Sequence, residues 1–152
     1  MSDYLLVLSG PNLSMLGTRD PEVYGTSTLD ELVAATTLAA GAHGLGIRHV
    51  QSNHEGELID AIERRDEGCK GVLANLGALT HTSVALHDAL ETLECPIVEV
   101  HLSNPAAREP FRHVSVIAPV VAGSIAGFGP LSYELAVQAI VALLEGAPGT
   151  TA

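Results

Sequence analysis

Cationic and aromatic side chains are scarce in this sequence. Its 152 residues include seven Lys or Arg against 18 Asp or Glu, and aromatic residues make up 3% of the chain. Nucleic-acid binding requires a dense cationic surface that displaces counterions from the phosphates. With a formal net charge of -11, the chain is expected to have no nucleic-acid partner, and the position of each arginine becomes informative.

Membrane and targeting signals are also lacking. The longest uncharged stretch, residues 114–131, is interrupted by two prolines and three glycines, which argues against a membrane helix. The N-terminus has no basic segment of the kind that opens a signal peptide. We therefore expect a cytoplasmic protein with no membrane partner.

Motifs for cofactors and metals are equally scarce. The sequence contains no Gly-x-x-x-x-Gly-Lys-Ser/Thr phosphate loop. Its two cysteines, Cys69 and Cys95, have neither metal-ligand spacing nor the pattern of a disulfide framework, and the seven histidines form no ligand pair on one predicted element. We interpret the cysteines as at least partly buried packing residues and expect no metal and no cofactor.

What the chain does contain is an alternation of short apolar runs with helical patterns, which predicts βα units around a parallel sheet. The first helix begins with a capping box, Thr28 with Glu31 three residues on. We predict an α/β fold, a flavodoxin-like three-layer sandwich with a five-stranded parallel sheet, in a single domain over residues 1–152 with a flexible tail at 146–152. Strands are predicted near residues 4–9, 46–52, 71–75, 97–101 and 114–118, and helices near 28–44, 57–67, 82–94 and 132–145.

An unusually long segment, residues 10–25, connects the first predicted strand to the first helix. Such connections usually take about 2–6 residues, and longer ordered ones are often binding loops or lids. This loop holds Arg19 and Tyr24. A tyrosine acts as a base only where cations stabilise its phenolate, and Arg19, with Arg108 from another loop, can supply that charge. The alternative is a loop tyrosine that packs its ring on the surface.

A second chemical pair lies at the end of the fourth predicted strand. Glu99 and His101 are two positions apart, so their side chains share one face of the strand. A carboxylate beside an imidazole orients it and favours its charged form, as a general acid requires. The alternative is a structural histidine partnered by Glu99. A glutamate is costly in a buried parallel strand, which favours a catalytic role.

Ligands of open α/β sheets bind beyond the carboxyl ends of the strands. Three arginines, Arg19, Arg108 and Arg112, fall in segments that follow strands, which indicates an anionic small molecule, a carboxylate above all. Asn12 and Asn75 can donate amide hydrogens to a developing oxyanion, although asparagine is also common in loops for local reasons.

Two further segments at that edge carry polar groups. His81 lies at a predicted helix start, where neighbouring hydroxyls can act as caps but the histidine is not explained by capping. The backbone amides of residues 102–104 and the Ser103 hydroxyl can bind a carboxylate. As an isolated motif this segment is nonspecific.

Taken together, these residues closely resemble the type II 3-dehydroquinate dehydratase family over about residues 4–145. The blocks that carry the resemblance occur in the family's order and spacing; they are Gly10–Leu13, Leu16–Arg19, Tyr24–Gly25, Gln51–Leu58, Thr80–Leu86, Val98–Asn104 and Arg108–His113.

The resemblance implies a cofactor-free dehydration of 3-dehydroquinate to 3-dehydroshikimate by anti elimination through an enolate. Tyr24 would be the base, kept ionised by Arg19, and His101 the acid. Asn12 would belong to the network that holds the enolate, and Arg108 would assist from the lid. Trimers assembled into a dodecamer are expected, with Asp88 reaching a neighbouring subunit's site. Positions that match the family's substrate-binding residues are Asn75, His81, Asp88, Leu102, Ser103 and Arg112.

Several positions depart from the family pattern. Ser9 and Ser14 replace asparagines, Leu76 and Leu79 replace a proline and a tyrosine, and Val114 and Val116 replace a histidine and a tyrosine. Loss of the proline is expected to leave Asn75 less restrained.

Three functional alternatives remain open at this stage. The pathway role is either biosynthetic, in the shikimate pathway, or catabolic, in quinate use. A degenerate paralogue would bind the ligand with little turnover. A non-enzymatic flavodoxin-like module would bind flavin or act as a receiver, although Ser9 and Asn75 stand where a receiver needs acidic residues.

Overall fold

A five-stranded parallel sheet forms the centre of the molecule, as predicted. The computed structural model describes residues 2–18 and 20–146. The strand order is β2-β1-β3-β4-β5, and every neighbouring pair is parallel. The strands are β1 (Tyr4–Ser9), β2 (Gly46–Gln51), β3 (Cys69–Asn75), β4 (Ile97–His101) and β5 (Gly123–Ala126).

Five α-helices accompany the sheet within the described residues: α1 (Pro21–Tyr24), α2 (Leu29–Gly41), α3 (Glu55–Glu63), α4 (Val84–Glu91) and α5 (Leu131–Leu144). The predicted capping box is formed in part, because the Thr28 hydroxyl accepts the backbone N–H of Glu31 at 3.2 Å. Ser83 caps α4 in the same way. Short 3-10 turns lie at Leu13–Met15, Gly77–His81, Pro105–Ala107, Pro110–Arg112 and Ala118–Val120.

The two faces of the sheet are covered by different helices, which confirms the three-layer prediction. Alternate residues of β1 point to opposite faces. Leu5 and Val7 belong to a core shared with α2 and α5, whereas Leu6 and Leu8 belong to one shared with α3 and α4. Because both faces are covered, the usable surface of the sheet is the carboxyl edge of its strands.

The prediction of a strand at residues 114–118 is wrong. In that segment Ile117 is fully buried, and the Val116 N–H donates to the carbonyl of Thr80, outside any ladder. The fifth strand is instead the glycine-containing Gly123–Ala126, which pairs with β4 from Val98↔Gly123 onward. The apolar pattern of 114–118 reflects a loop whose Ile117 and Val116 pack against the α3–α4 layer.

The predicted flexible tail lies, beyond Gly146, outside the described residues. Among the helices of the described part of the chain, none combines the length and the apolar character needed to cross a membrane.

Candidate active site

A pocket of about 110 Å³ opens at the carboxyl edge of the sheet, beyond the ends of β1, β3 and β4. Its size suits a compact small molecule. Eight of the site residues predicted from sequence line it: Asn12, Tyr24, Asn75, His101, Leu102, Ser103, Arg108 and Arg112. The remaining wall is Pro11, Leu13, Gly77, Ala78 and Pro105.

The loop that follows β1 is held close to the loop that follows β3. A Cβ at Gly10 would lie 2.2 Å from the carbonyl oxygen of Leu76, so this close approach requires glycine. Two residues on, Asn12 adopts a left-handed backbone with φ of 69°, a conformation that asparagine tolerates better than most residues. Its N–H donates to the Asn53 side-chain oxygen at 2.9 Å. The turn thereby places Asn12 at the pocket wall.

Tyr24 and Arg108 meet across the pocket although 84 residues separate them in the chain. Asp20 caps the short helix α1, with Pro21 at its first position, and Tyr24 is its last residue. The Arg108 guanidinium donates to the Tyr24 hydroxyl at 2.8 Å and lies 5.1 Å from the ring centre. It also reaches the Ser103 hydroxyl at 3.4 Å. A cation at this distance stabilises negative charge on the phenol oxygen.

His101 and Glu99 form the pair that their spacing predicted. His101 Nε2 lies 2.7 Å from a Glu99 carboxylate oxygen, and both residues are buried, at 8% and 5% exposure. With an ionised Glu99, Nε2 is the protonated nitrogen that donates to the carboxylate.

A third side chain, that of Ser115, contacts the Glu99 carboxylate. The Ser115 hydroxyl donates to the other Glu99 oxygen at 2.6 Å. Burial by itself raises the pKa of Glu99, but the hydrogen bonds from His101 and Ser115 outweigh the burial and lower the pKa overall. The carboxylate therefore stays ionised beside the imidazole.

Asn75 is anchored from three directions. Its amide nitrogen donates to the hydroxyl of Tyr133 at 2.9 Å, its side-chain oxygen accepts the N–H of Gly77 at 3.4 Å, and its carbonyl accepts the N–H of Gly10 at 2.8 Å. Tyr133 is fully buried, which raises its pKa to about 12, and its hydroxyl also bonds to Ser9. These contacts hold both the side chain and the backbone of Asn75, although the residue that follows it is Leu76 in place of a proline.

The remaining predicted residues near the pocket support it from its rim. The His81 ring is stacked on the His101 ring, with centres 6.5 Å apart, and its Nδ1 contacts the carbonyl of Val114 at 2.8 Å. The Arg112 guanidinium donates to Glu109 at 2.7 Å. Because His81 uses only the backbone of Val114, the departure from the family at that position leaves the contact intact.

Arg19 and Asp88 complete the set of predicted site residues. Arg19 lies outside the described residues. Asp88 is exposed on α4, where its carboxylate contacts His87 at 3.1 Å; together with Glu91 these side chains form a cluster whose ligand atoms all lie within 4.8 Å of one another. An exposed cluster of this kind does not by itself indicate a cation site.

Sequence reasoning missed Ser115 and Tyr133, the two residues that hold Glu99 and Asn75. Ser115 was hidden within a segment predicted to be a strand. Tyr133 had one available signal: it is one of three tyrosines in the chain, and it lies in an otherwise small and aliphatic helix. A buried tyrosine hydroxyl needs a hydrogen-bond partner.

Comparison with known proteins shows which family the chain is similar to. The family model described as Dehydroquinase class II matches residues 3–141. A 3-dehydroquinate dehydratase of Ruegeria pomeroyi is 54% identical over 145 residues, covering 94% of this chain and 97% of the relative.

Solved structures give the same result. The type II dehydroquinase of Propionibacterium acnes superimposes with a TM-score of 0.86 at 42% identity, covering 92% of this chain and 97% of the other. That of Butyrivibrio crossotus gives 0.88 at 38% identity, covering 92% and 98%. A family model that spans this much of the chain, a relative that shares half of its residues and a common fold agree: the chain belongs to the class II dehydroquinase family.

Proposed function

We propose that this chain is a hydro-lyase that dehydrates 3-dehydroquinate to 3-dehydroshikimate, by anti elimination through an enolate. The observation that carries the proposal is the presence, around one small pocket, of a cation-paired tyrosine and a carboxylate-paired histidine. Such an arrangement supplies a base and an acid to one bound molecule, as the loss of a proton and a hydroxyl group requires.

Tyr24 is proposed as the base that removes the proton alpha to the ketone. The phenolate takes that proton, and the C–H electrons move toward the carbonyl to form the enolate. Arg108, at 2.8 Å from the phenol oxygen, favours the anionic base. Arg19 has the same proposed role on the strength of the family resemblance.

The negative charge of the enolate and that of the substrate carboxylate need separate partners. Asn12, at the tip of the turn after β1, is proposed to hold the enolate through its amide and an associated water. Asn75, His81 and Arg112 are proposed to bind the substrate. Residues 102 and 103 are proposed to bind its carboxylate through backbone amides and the Ser103 hydroxyl.

His101 is proposed to protonate the departing hydroxyl. When the enolate re-forms the ketone, the carbon–oxygen bond breaks, a carbon–carbon double bond forms in conjugation, and the hydroxyl leaves as water. Glu99 orients the ring, because its carboxylate is buried and ionised and lies 2.7 Å from Nε2. General acid–base groups contribute about 10²–10⁴-fold each, so base, acid and enolate partner must act together.

The proposed assembly is a dodecamer built of trimers. Asp88 is exposed and lies outside the pocket of its own chain, as a residue that serves a neighbouring subunit's site would. Large apolar side chains are also exposed, among them Phe111 at 68% and Phe128 at 62%. Light scattering of the purified protein tests the assembly, and a monomeric mass would contradict it.

The reaction is tested by the growth of enone absorbance when purified protein meets 3-dehydroquinate without added metal or cofactor. Tyr24→Phe is expected to lose at least about 100-fold in kcat. Tyr4→Phe is the matched control, because Tyr4 lies at the opposite end of β1, where its hydroxyl contacts Arg48 and the backbone of Asp66. Its kcat is expected to stay within about twofold of wild type.

Titration calorimetry separates the remaining outcomes. A wild-type chain that binds 3-dehydroquinate but fails to turn it over is the ligand-binding paralogue, and Leu76 and Leu79 are then the first residues to revert. Turnover that survives in Tyr24→Phe would contradict the phenolate base while leaving the reaction itself in place.

A further inference from the structure

The two cysteines come together in the fold, at the edge of the sheet opposite the pocket. Cys69 is the first residue of β3, and Cys95 lies two residues before β4. These strands are neighbours, paired from Val72↔Ile97 onward. Neighbouring strands lie about 4.8 Å apart, and disulfide formation needs Cα atoms within about 7 Å. Cys69 and Cys95 lie on adjacent segments at one edge of β3 and β4, so a disulfide between them requires a Cα separation within that range.

An irregularity in the strand register puts both cysteines on the same face. The register between β1 and β3 shifts after Tyr4↔Cys69, because Leu5 pairs with Gly71 and leaves the intervening Lys70 unpaired. Without this bulge Cys69 would point to the face opposite that of Val72. With it, Cys69 packs in the same layer as Cys95, against the core shared with α3 and α4.

The two thiols are in contact and chemically unequal. They lie close enough to influence each other's ionisation, the Cys69 thiol donates to the Gly71 carbonyl at 3.7 Å, and each is half-buried, so small molecules can reach them. The hydrogen bond from Cys95 lowers the pKa of Cys69 to about 7, against the effect of burial, whereas the same contact and burial raise the pKa of Cys95. The Arg65 guanidinium, fixed on the Ile62 carbonyl at 2.8 Å, adds positive charge nearby.

We propose that Cys69 and Cys95 form a peroxide-reactive dithiol that closes to an intramolecular disulfide. The Cys69 thiolate attacks one oxygen of hydrogen peroxide and the O–O bond breaks, which gives a Cys69 sulfenic acid and hydroxide; the hydroxide takes up the proton that the thiol released on ionisation and leaves as water. Cys95 sulfur then attacks the Cys69 sulfur, the S–O bond breaks, and the hydroxyl leaves with the Cys95 proton as a second water. One hydroperoxide is reduced and two thiols are oxidised.

The test uses the full chain, reduced and then freed of reductant, with hydrogen peroxide as the probe. Wild type is expected to lose about 2 Da, the mass of two hydrogens, without forming dimers, and to regain it with a thiol reductant. Non-reducing peptide mapping must join residues 69 and 95. Cys95→Ser is expected to stop at a sulfenic acid on Cys69 that dimedone traps.

Cys69→Ser is the matched variant, because Cys95 remains. It is expected to react with peroxide at roughly one tenth of the rate of Cys95→Ser, or more slowly still, since an ordinary thiol is only a few per cent ionised near pH 7. Circular dichroism spectra that match wild type establish that both variants are folded. Equal rates in the two variants, or a disulfide that forms only in denaturant or between chains, would overturn the proposal.

Discussion

Replacement of Ser115 by alanine tests whether Glu99 acts through its ionised, oriented state. The mutation removes a 2.6 Å hydrogen bond to a carboxylate that is 5% exposed. Hydrogen bonds to charged groups contribute about 1.5–3 kcal/mol, and each 1.4 kcal/mol or so is a factor of ten in rate. If Glu99 supports the proton transfer from His101, kcat is expected to fall about 10- to 100-fold.

The assay is the initial rate of enone formation as a function of substrate concentration and pH. KM is expected to change less than kcat, because Ser115 does not line the pocket. Loss of the hydrogen bond raises the pKa of Glu99, so the acid limb of the rate profile moves to higher pH in Ser115→Ala. Ser115→Thr keeps a hydroxyl and is expected to recover most of the rate.

A structural role for Ser115 must be separated from this one, since its hydroxyl also accepts the N–H of Ala118 at 3.0 Å. The combination with Glu99→Gln distinguishes the two roles. If Ser115 acts through the carboxylate, adding Ser115→Ala to Glu99→Gln costs little more. A full loss in that background, or a kcat in Ser115→Ala within twofold of wild type, would refute the reasoning.

Three further predictions follow from other contacts. Arg108→Gln removes the donor to the phenol oxygen and is expected to lower kcat about 10- to 100-fold, while Arg108→Lys, which keeps the charge but not the planar fork, recovers part of it in the same rate assay. Gly10→Ala places a methyl group 2.2 Å from a backbone carbonyl oxygen and is expected to lower the free energy of unfolding, measured by urea titration, by about 1–3 kcal/mol or more. Gly41→Ala is the control, because Gly41 lies in a helix with open space around it. This variant is expected to raise the free energy of unfolding by about 0.5–1 kcal/mol. Burial raises the pKa of Tyr133 from 10.0 to about 12, so its contribution to stability is complete below pH 10 and is lost as pH rises through about 12. The loss, on the order of 2–3 kcal/mol, is expected to be absent from Tyr133→Phe. A parallel decline of stability with pH in that variant would contradict the assignment.

Four of the five strands could be located from the sequence; β1, β3 and β4 contain short, nearly continuous apolar runs, whereas in β2 Arg48 and His49 stand between Ile47 and Val50. β1 and β4 have the predicted bounds, and all six residues of β1 are buried, as expected for a strand covered on both faces. α1 could not be predicted: it has four residues, and a single turn of helix is decided by its Asp20 cap and by packing, not by periodicity.

The gathering of the site residues could also be predicted. Parallel strands bring their carboxyl ends to one edge, so residues after β1, β3 and β4 were expected to meet, and eight of them line one pocket. The contact between Arg108 and Tyr24 depended on two loops whose paths no local pattern specifies. Their charge and chemistry indicated a functional pair, but the 2.8 Å geometry is a property of the folded chain.

The wrong strand at residues 114–118 and the missed role of Ser115 have one physical cause. In a strand, ladder hydrogen bonds would use many of the backbone groups of this segment and would fix the directions of its side chains. As a loop beside β4, the segment sends the Ser115 hydroxyl to Glu99, a carbonyl to His81 and an N–H to the Thr80 carbonyl. Of its apolar residues, Ile117 is buried and Val116 partly buried in the core shared with α3 and α4, whereas Val114 is exposed. An apolar pattern indicates that burial, but it cannot distinguish a strand from a loop that stabilises the candidate acid.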